Sequence, residues 1–289
     1  MRNNNAKGPL LIAVTAILWS FGGLLIKLIA WDAMTIIGMR AVFAAAVIAI
    51  YMRKPRITFS PSVILGALCM AATTFLYIFA NKLTTAANAI VLQQTAPIFV
   101  IILSAIFFKK RPRGLEILAV LLTFAGIALV FMDRMKASSA SEMLGNVLAC
   151  ISGLTFAGVF LITQMPKAKP EESLLLGNLI DIVICLPVMF TNITFEPTPW
   201  IAIVLMGVFQ LGLSYVLFSI GIKITPPVSA SIIAMLEPLL NPVWVFVITG
   251  EAPGALALAG GAVVLATLIA YNVISIRRSR RIESVGLSA

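Results

Sequence analysis

The chain has 289 residues, of which 61% are hydrophobic and only 11% charged, and its mean hydropathy is +1.06. Soluble domains run at roughly 45–50% apolar and 25% charged, so these proportions exclude a soluble globular fold and predict an all-α integral membrane protein. The formal net charge of +10 and the absence of histidine leave the choice between lipid and nucleic acid to the placement of the charges, and exclude imidazole catalysis and histidine-ligated metal sites.

At about 20 apolar residues per crossing, charged or turn-rich breaks divide the chain into ten predicted transmembrane helices. Span 1 (9–29) follows "MRNNNAKG" and reads as a retained helix, not a cleaved leader. It carries Thr15 and Trp19, four residues apart, and Lys27 near its end, where the ammonium can snorkel to the interface. Span 2 (35–52) is short and holds Arg40. Span 3 (61–80) contains Tyr77, and span 4 (86–108) contains Asn88, the adjacent Gln93 and Gln94, Thr95 and Pro97. Spans 5 (114–132) and 6 (143–164) precede a short span 7 (173–191) with Asp181 near its middle. Span 8 (199–221) has Gln210 and Ser214 four apart, span 9 (227–249) encloses "MLEPLLNPVW" at 235–244, and span 10 covers 254–276. Cys69, Cys150 and Cys185 fall singly in three spans without a CxxC and read as small buried apolar residues.

With the N-terminus in the cytoplasm, one face receives Arg2, Lys7, Arg53, Lys54, Arg56, Lys109, Lys110, Arg111, Arg113, Lys167, Lys169, Lys223 and the tail arginines 277, 278, 280 and 281. The other receives only Lys82, Arg134 and Lys136. This positive-inside pattern predicts a multi-pass protein of the cytoplasmic membrane with both termini inside. The tail "RRSRR" is then most simply a topology anchor beside anionic lipid, with a nucleic-acid or protein partner as the alternative.

The chain also repeats itself. A shift of 141 residues places Gly66 on Gly207, Lys82 on Lys223, Thr84 on Thr225, Ala89 on Ala230 and Pro97 on Pro238. Upstream the register drifts to 137, where Gly8 meets Gly145 and Trp19 meets Phe156. Two halves, 1–137 and 138–289, thus hold five spans each. An odd number obliges the second half to enter the membrane upside down, so two inverted five-helix repeats are expected. That arrangement is a hallmark of secondary transporters with a site near the midplane at the repeat interface. Pro97 and Pro238 then occupy equivalent mid-span positions, as kinks that free a backbone carbonyl toward a cavity or as packing kinks without substrate contact.

The ten-span layout, the repeated "Ala…Pro" spans, the "LEP" of 236–238 followed by "GE" at 250–251, and Arg40 early in span 2 resemble the EamA branch of the drug/metabolite transporter superfamily, over residues 9–276. One departure is Lys109 and Lys110 in the first half, where the second has Gly250 and Glu251. The resemblance implies an inner-membrane carrier of small metabolites, often an amino-acid exporter, with a central cavity walled by both halves.

On a helix, Ser229, Ile233, Glu237, Asn241 and Trp244 line one face. An ionised side chain facing lipid at mid-span costs at least about 2.5–3.5 kcal/mol, so Glu237 should meet water, a partner or a proton. Three roles stand open for it: contact with a substrate amine or cation, proton coupling, or a structural hydrogen bond to a kinked backbone. From the spans that the family's cavity would use, the facing candidates are Thr15, Trp19, Tyr77, Asn88, Gln94, Thr95, Gln210 and Ser214, with Asn241 and Trp244 beside Glu237. Amides, hydroxyls and rings suit a zwitterionic or moderately polar solute, although each can equally serve as an interhelical hydrogen bond. Arg40 and Asp181, on counterpart spans, form a candidate gate or architectural pair.

No GxSxG motif, P-loop or cofactor motif is present, which argues against a membrane enzyme or an ATP-driven pump. A channel, a structural or signalling membrane protein and, within transporters, a drug or dye exporter are the competing readings.

Overall fold

The structure, a computed structural model, describes residues 7–107, 109, 114–134, 139–162, 165, 167–191, 193–225, 233, 236–250 and 254–286, and every element among them is helical. Span 1 is α1 (Lys7–Ser20) with α2 (Gly22–Leu28), span 2 is α3 (Ala33–Met52), and span 3 is α4 (Pro61–Leu83). Span 4 divides into α5 (Ala86–Gln93) and α6 (Ala96–Phe107), and span 5 is α7 (Gly114–Arg134). In the second half α8 (Ala140–Ile162) and α9 (Pro170–Cys185) are spans 6 and 7. Span 8 runs through α10 (Pro197–Val204), a π-helical segment (Leu205–Leu213) and α11 (Ser214–Ile224). Spans 9 and 10 are α12 (Leu236–Thr249) and α13 (Ala255–Gly286).

Most span ends stand within a few residues of their sequence positions, but the helix of span 7 ends at Cys185, short of 191, that of span 10 runs past 276 to Gly286, and the first part of span 9 lies largely outside the described residues. Span 2 proves full-length at 20 residues, whereas span 7 stays short at 16. Local chemistry sets several ends. Ser60 accepts from the Val63 N–H and precedes Pro61, whose missing donor costs nothing in a first turn. The Thr85 hydroxyl likewise accepts from the Asn88 N–H to start α5. Six continuous stretches, among them Lys7–Leu28, Pro61–Leu83 and Pro197–Phe218, are long and apolar enough to cross a membrane. Leu118 and Leu121 on α7, Phe246 and Val247 on α12 and Leu258 on α13 are exposed on the outside of the bundle, where lipid is their fitting solvent.

The packing has the symmetry that two inverted repeats demand. Span 3 packs on span 6 as span 1 packs on span 8, span 4 on span 6 as span 9 on span 1, and span 3 on span 7 as span 8 on span 2. Spans 2 and 7 meet each other, as do 5 and 10. Two close approaches repeat at residue level. A Cβ on Gly8 would run into Thr225 Oγ1, and one on its counterpart Gly145 would stand 2.9 Å from the Thr84 backbone nitrogen. Thr84 and Thr225 are themselves counterparts, so the same glycine-to-threonine contact is built twice, at opposite ends of the bundle.

Candidate functional site

Polar side chains from both halves gather where spans 1, 3, 4, 8 and 9 meet. Span 4 is interrupted at Gln94 and Thr95. The Leu92 carbonyl there accepts from both the Thr95 N–H, at 3.3 Å, and the Thr95 hydroxyl, at 2.6 Å. Gln94, whose own N–H still donates to the Ile90 carbonyl at 2.9 Å, extends its Nε2 to Glu237 Oε2 at 3.2 Å, a hydrogen bond between the halves. One turn along α12, Asn241 is fully buried beside the Tyr77 phenol, and neither atom of its amide makes a hydrogen bond of normal geometry among the described residues. It comes this close to span 1 because residue 23 is glycine; a Cβ there would lie 2.6 Å from Asn241 Oδ1. Tyr77 and Tyr215 both lie in the electrostatic neighbourhood of Glu237 and of Arg40.

Aromatic rings close two sides of the cluster. Trp19 donates Nε1 to Ser214 Oγ at 2.7 Å and packs 5.4 Å, centroid to centroid, from each of Tyr215 and Phe218. Trp244 donates to Ser20 Oγ at 3.0 Å and stacks on Phe21 at 5.2 Å. Gln210, in the π-helical segment, lays its amide over Gly22, and its Oε1 has no partner among the described residues. A π-helical stretch beside such a cluster is a common mark of a working site.

Other sequence candidates lie elsewhere or are already engaged. Asn88 turns to span 6, where it donates to Asn146 Oδ1 at 3.5 Å beside Thr84, which donates to the same oxygen at 2.8 Å. The Thr95 hydroxyl is committed to its own backbone. Thr15 donates to Leu11 and Ser214 carbonyls, an interhelical tie rather than a free polar group. Pro97 is the second residue of α6, just past the interruption, and Pro238 lies in the first described turn of α12. Ser229 and Glu251 lie outside the described residues. Lys27 reaches the Thr84 carbonyl at 2.9 Å, which anchors the end of span 1 to the end of span 3. Arg40, 5% exposed, contacts Thr74 Oγ1 at 3.3 Å and Met206 Sδ at 3.9 Å. Asp181 is an electrostatic neighbour of Arg40, yet the two make no direct ion pair.

Sequence reasoning missed Thr74, Asn81 and Tyr215. Met70, Thr74, Tyr77 and Asn81 follow one another at helical spacing on α4, and that polar face was a readable signal.

The two halves of the chain, residues 6–132 and 143–273, each match the EamA-like transporter family. The chain belongs to that family. EamA-like relatives include an uncharacterized transporter of Archaeoglobus fulgidus that is 26% identical over 91% of this chain and 96% of its own. A second from that organism is 28% identical over 92% and 96%, and one from Bacillus subtilis is 29% identical over 62% of each chain. A crystal structure 18% identical in sequence covers 96% of this chain and 99% of its own at a TM-score of 0.64, a likeness of fold. The chain is therefore a multi-pass membrane protein of a transporter family, and the cluster around Glu237 lies where two EamA-like repeats meet.

Proposed function

We propose that this protein is a secondary transporter that carries a small polar, amine-bearing metabolite, an amino acid or a related compound, out of the cell across the cytoplasmic membrane. Alternating access is the mechanism, with residues 1–137 and 138–289 as the moving halves and both termini in the cytoplasm. The observation that carries the reading is the Gln94–Glu237 bond between the halves, flanked by the buried amide of Asn241, which makes no close hydrogen bond among the described residues and lies beside the Tyr77 phenol. A carboxylate at that junction offers an ammonium group a charge-assisted contact, and the amides and phenols around it offer neutral donors and acceptors to the rest of the solute. A solute that displaces Gln94 from Glu237 also breaks a tie between the halves, which couples binding to motion. Glu237 is equally the group through which a proton would enter the cycle.

A drug or dye exporter is the second reading, favoured by the Trp19, Tyr215 and Phe218 wall, which suits flat cations. The deciding experiment is efflux from proteoliposomes loaded with an amino-acid mixture, with and without Glu237→Gln, at symmetric pH and under a pH gradient. Saturable loss of particular amino acids that the substitution abolishes supports the metabolite carrier. Loss of an aromatic cationic dye alone moves the assignment to the exporter, and unsaturable flux moves it to a channel.

A further inference from the structure

Two contacts between the halves lie away from the polar cluster, at opposite ends of the bundle. Trp31, just before α3 and 2% exposed, donates Nε1 to Thr194 Oγ1 at 3.0 Å in the loop between spans 7 and 8. Trp200 seals the contact from the side, edge-on to Trp31 at 5.2 Å, and its own Nε1 donates to the Thr194 carbonyl at 3.0 Å. At the other end, Glu172 in the first turn of α9 is 5% exposed. Its Oε2 accepts from the Thr58 backbone N–H at 2.6 Å and from the Thr58 hydroxyl, in the loop between spans 2 and 3, while Lys169 holds Oε1 at 2.7 Å.

One partner of each contact holds the same place in the repeat. The 141-residue shift that matches Arg40 with Asp181 also matches Trp31 with Glu172. In each case the residue at the start of span 2 or span 7 reaches into the loop that leaves the other of these two spans. Because spans 2 and 7 run in opposite directions, the Trp31 contact lies on one membrane face and the Glu172 contact on the other.

From this we infer a pair of opposed latches: Trp31 with Thr194 holds one face shut, and Glu172 with Thr58 holds the other. The inference rests on alternating access by the two halves. Halves that rock about the spans 2 and 7 interface cannot part on a face until the cross-half bonds of that face are broken, and both bonds are made at once in this structure, as an occluded state requires. The two latches differ in chemistry. One is neutral and aromatic, with its hydrogen bond shielded by Trp200. The other is a charge-assisted bond beside a solvent-facing lysine.

The test is one-sided labelling of a Gln210→Cys reporter by a membrane-impermeant maleimide, in full-length protein in vesicles of known orientation and scored against the rate of the native cysteines. Glu172→Ala is expected to speed labelling from the face that carries loop 53–60 by about fivefold or more and to slow it from the other. Thr194→Val is expected to do the reverse. Thr58→Val, which keeps the backbone donor, is expected to act in the same direction as Glu172→Ala but more weakly, and it stands in if that variant fails to fold. Shifts in the same direction for both latches, or no shift in protein that elutes as a folded species, overturn the inference. Labelling of the reporter in the unaltered sequence from both faces at the full rate of a water-exposed thiol, as an open pore gives, overturns alternating access itself.

Discussion

Arg40 and Asp181 occupy the same position in the two repeats, lie close together across the interface of spans 2 and 7, and are 5% and 2% exposed, yet they make no direct ion pair. The guanidinium is turned to Thr74 and Met206, while Arg40 Nε and Asp181 Oδ1 lack hydrogen-bond partners among the described residues. A buried charge without its counter-charge is costly, about 3–5 kcal/mol when a hydrogen-bonded buried pair is halved. The wider gap here places the expected loss for Arg40→Leu or Asp181→Asn below that range. The pair with both charges removed, Arg40→Leu with Asp181→Asn, should melt above the Arg40→Leu single variant in detergent. A double variant that loses the sum of the two single losses would show that the charges do not see one another.

Glu237→Gln keeps the size of the side chain and its hydrogen bond to Gln94 but removes the charge. Transport is expected to fall by at least about tenfold, equivalent to about 1.4 kcal/mol of lost interaction, with little change in melting temperature. Gln94→Ala should weaken transport less, because it removes a partner of the carboxylate and not the carboxylate itself. Flux in proteoliposomes and thermal melting of the same preparations check both. Normal flux in Glu237→Gln would take the carboxylate out of the mechanism.

The spans were legible because lipid imposes a simple code, an apolar run of sufficient length ended by charge or turn residues, and ten such runs survive as helices. The site was legible only in part. Glu237 declared itself by the cost of a carboxylate in an apolar run, but its partner Gln94 lies 143 residues away, and no local pattern could join them. Thr95 has the composition of a cavity residue but donates its hydroxyl to the Leu92 carbonyl at the interruption of span 4. Asn241 depends on Gly23, a residue without a side chain to advertise itself. Periodicity carried less information for Arg40, whose depth was clear from its position but whose contacts, Thr74 and Met206, belong to two other spans.

Gly145→Ala is expected to destabilise the fold by about 1–3 kcal/mol, the usual cost of overpacking. Its added methyl would meet the Thr84 nitrogen at 2.9 Å and the Leu83 carbonyl carbon at 3.0 Å, backbone atoms that cannot step aside. Gly8→Ala should cost less, since its nearest neighbour, Thr225 Oγ1, is a side-chain atom that can rotate away. Gly114→Ala is the control, with nothing among the described residues within 4 Å of the new methyl and a gain in helix propensity. Melting in detergent should rank Gly114→Ala highest and Gly145→Ala lowest. A Gly145→Ala protein as stable as the control would mean that spans 3 and 6 are not held at the observed distance.

Acid should weaken the Glu172 contact in a defined window. Burial works to raise the affinity of this carboxyl for a proton, but the Lys169 ammonium and the two donors of Thr58 outweigh it and hold the group below its usual 4.5. A carboxyl depressed in the folded state contributes its stability fully above its ordinary value, and that contribution is lost as pH falls through the folded value. The difference in melting temperature between the native sequence and Glu172→Gln is therefore expected to be level from neutral pH down to about 5 and to shrink below 4.5. Lys169→Met should narrow that difference at neutral pH and move the window upward, because the carboxylate then keeps only its bonds to Thr58. A difference that grows on acidification would mean that Glu172 is bound as the neutral acid, and the charge-assisted latch would have to be abandoned.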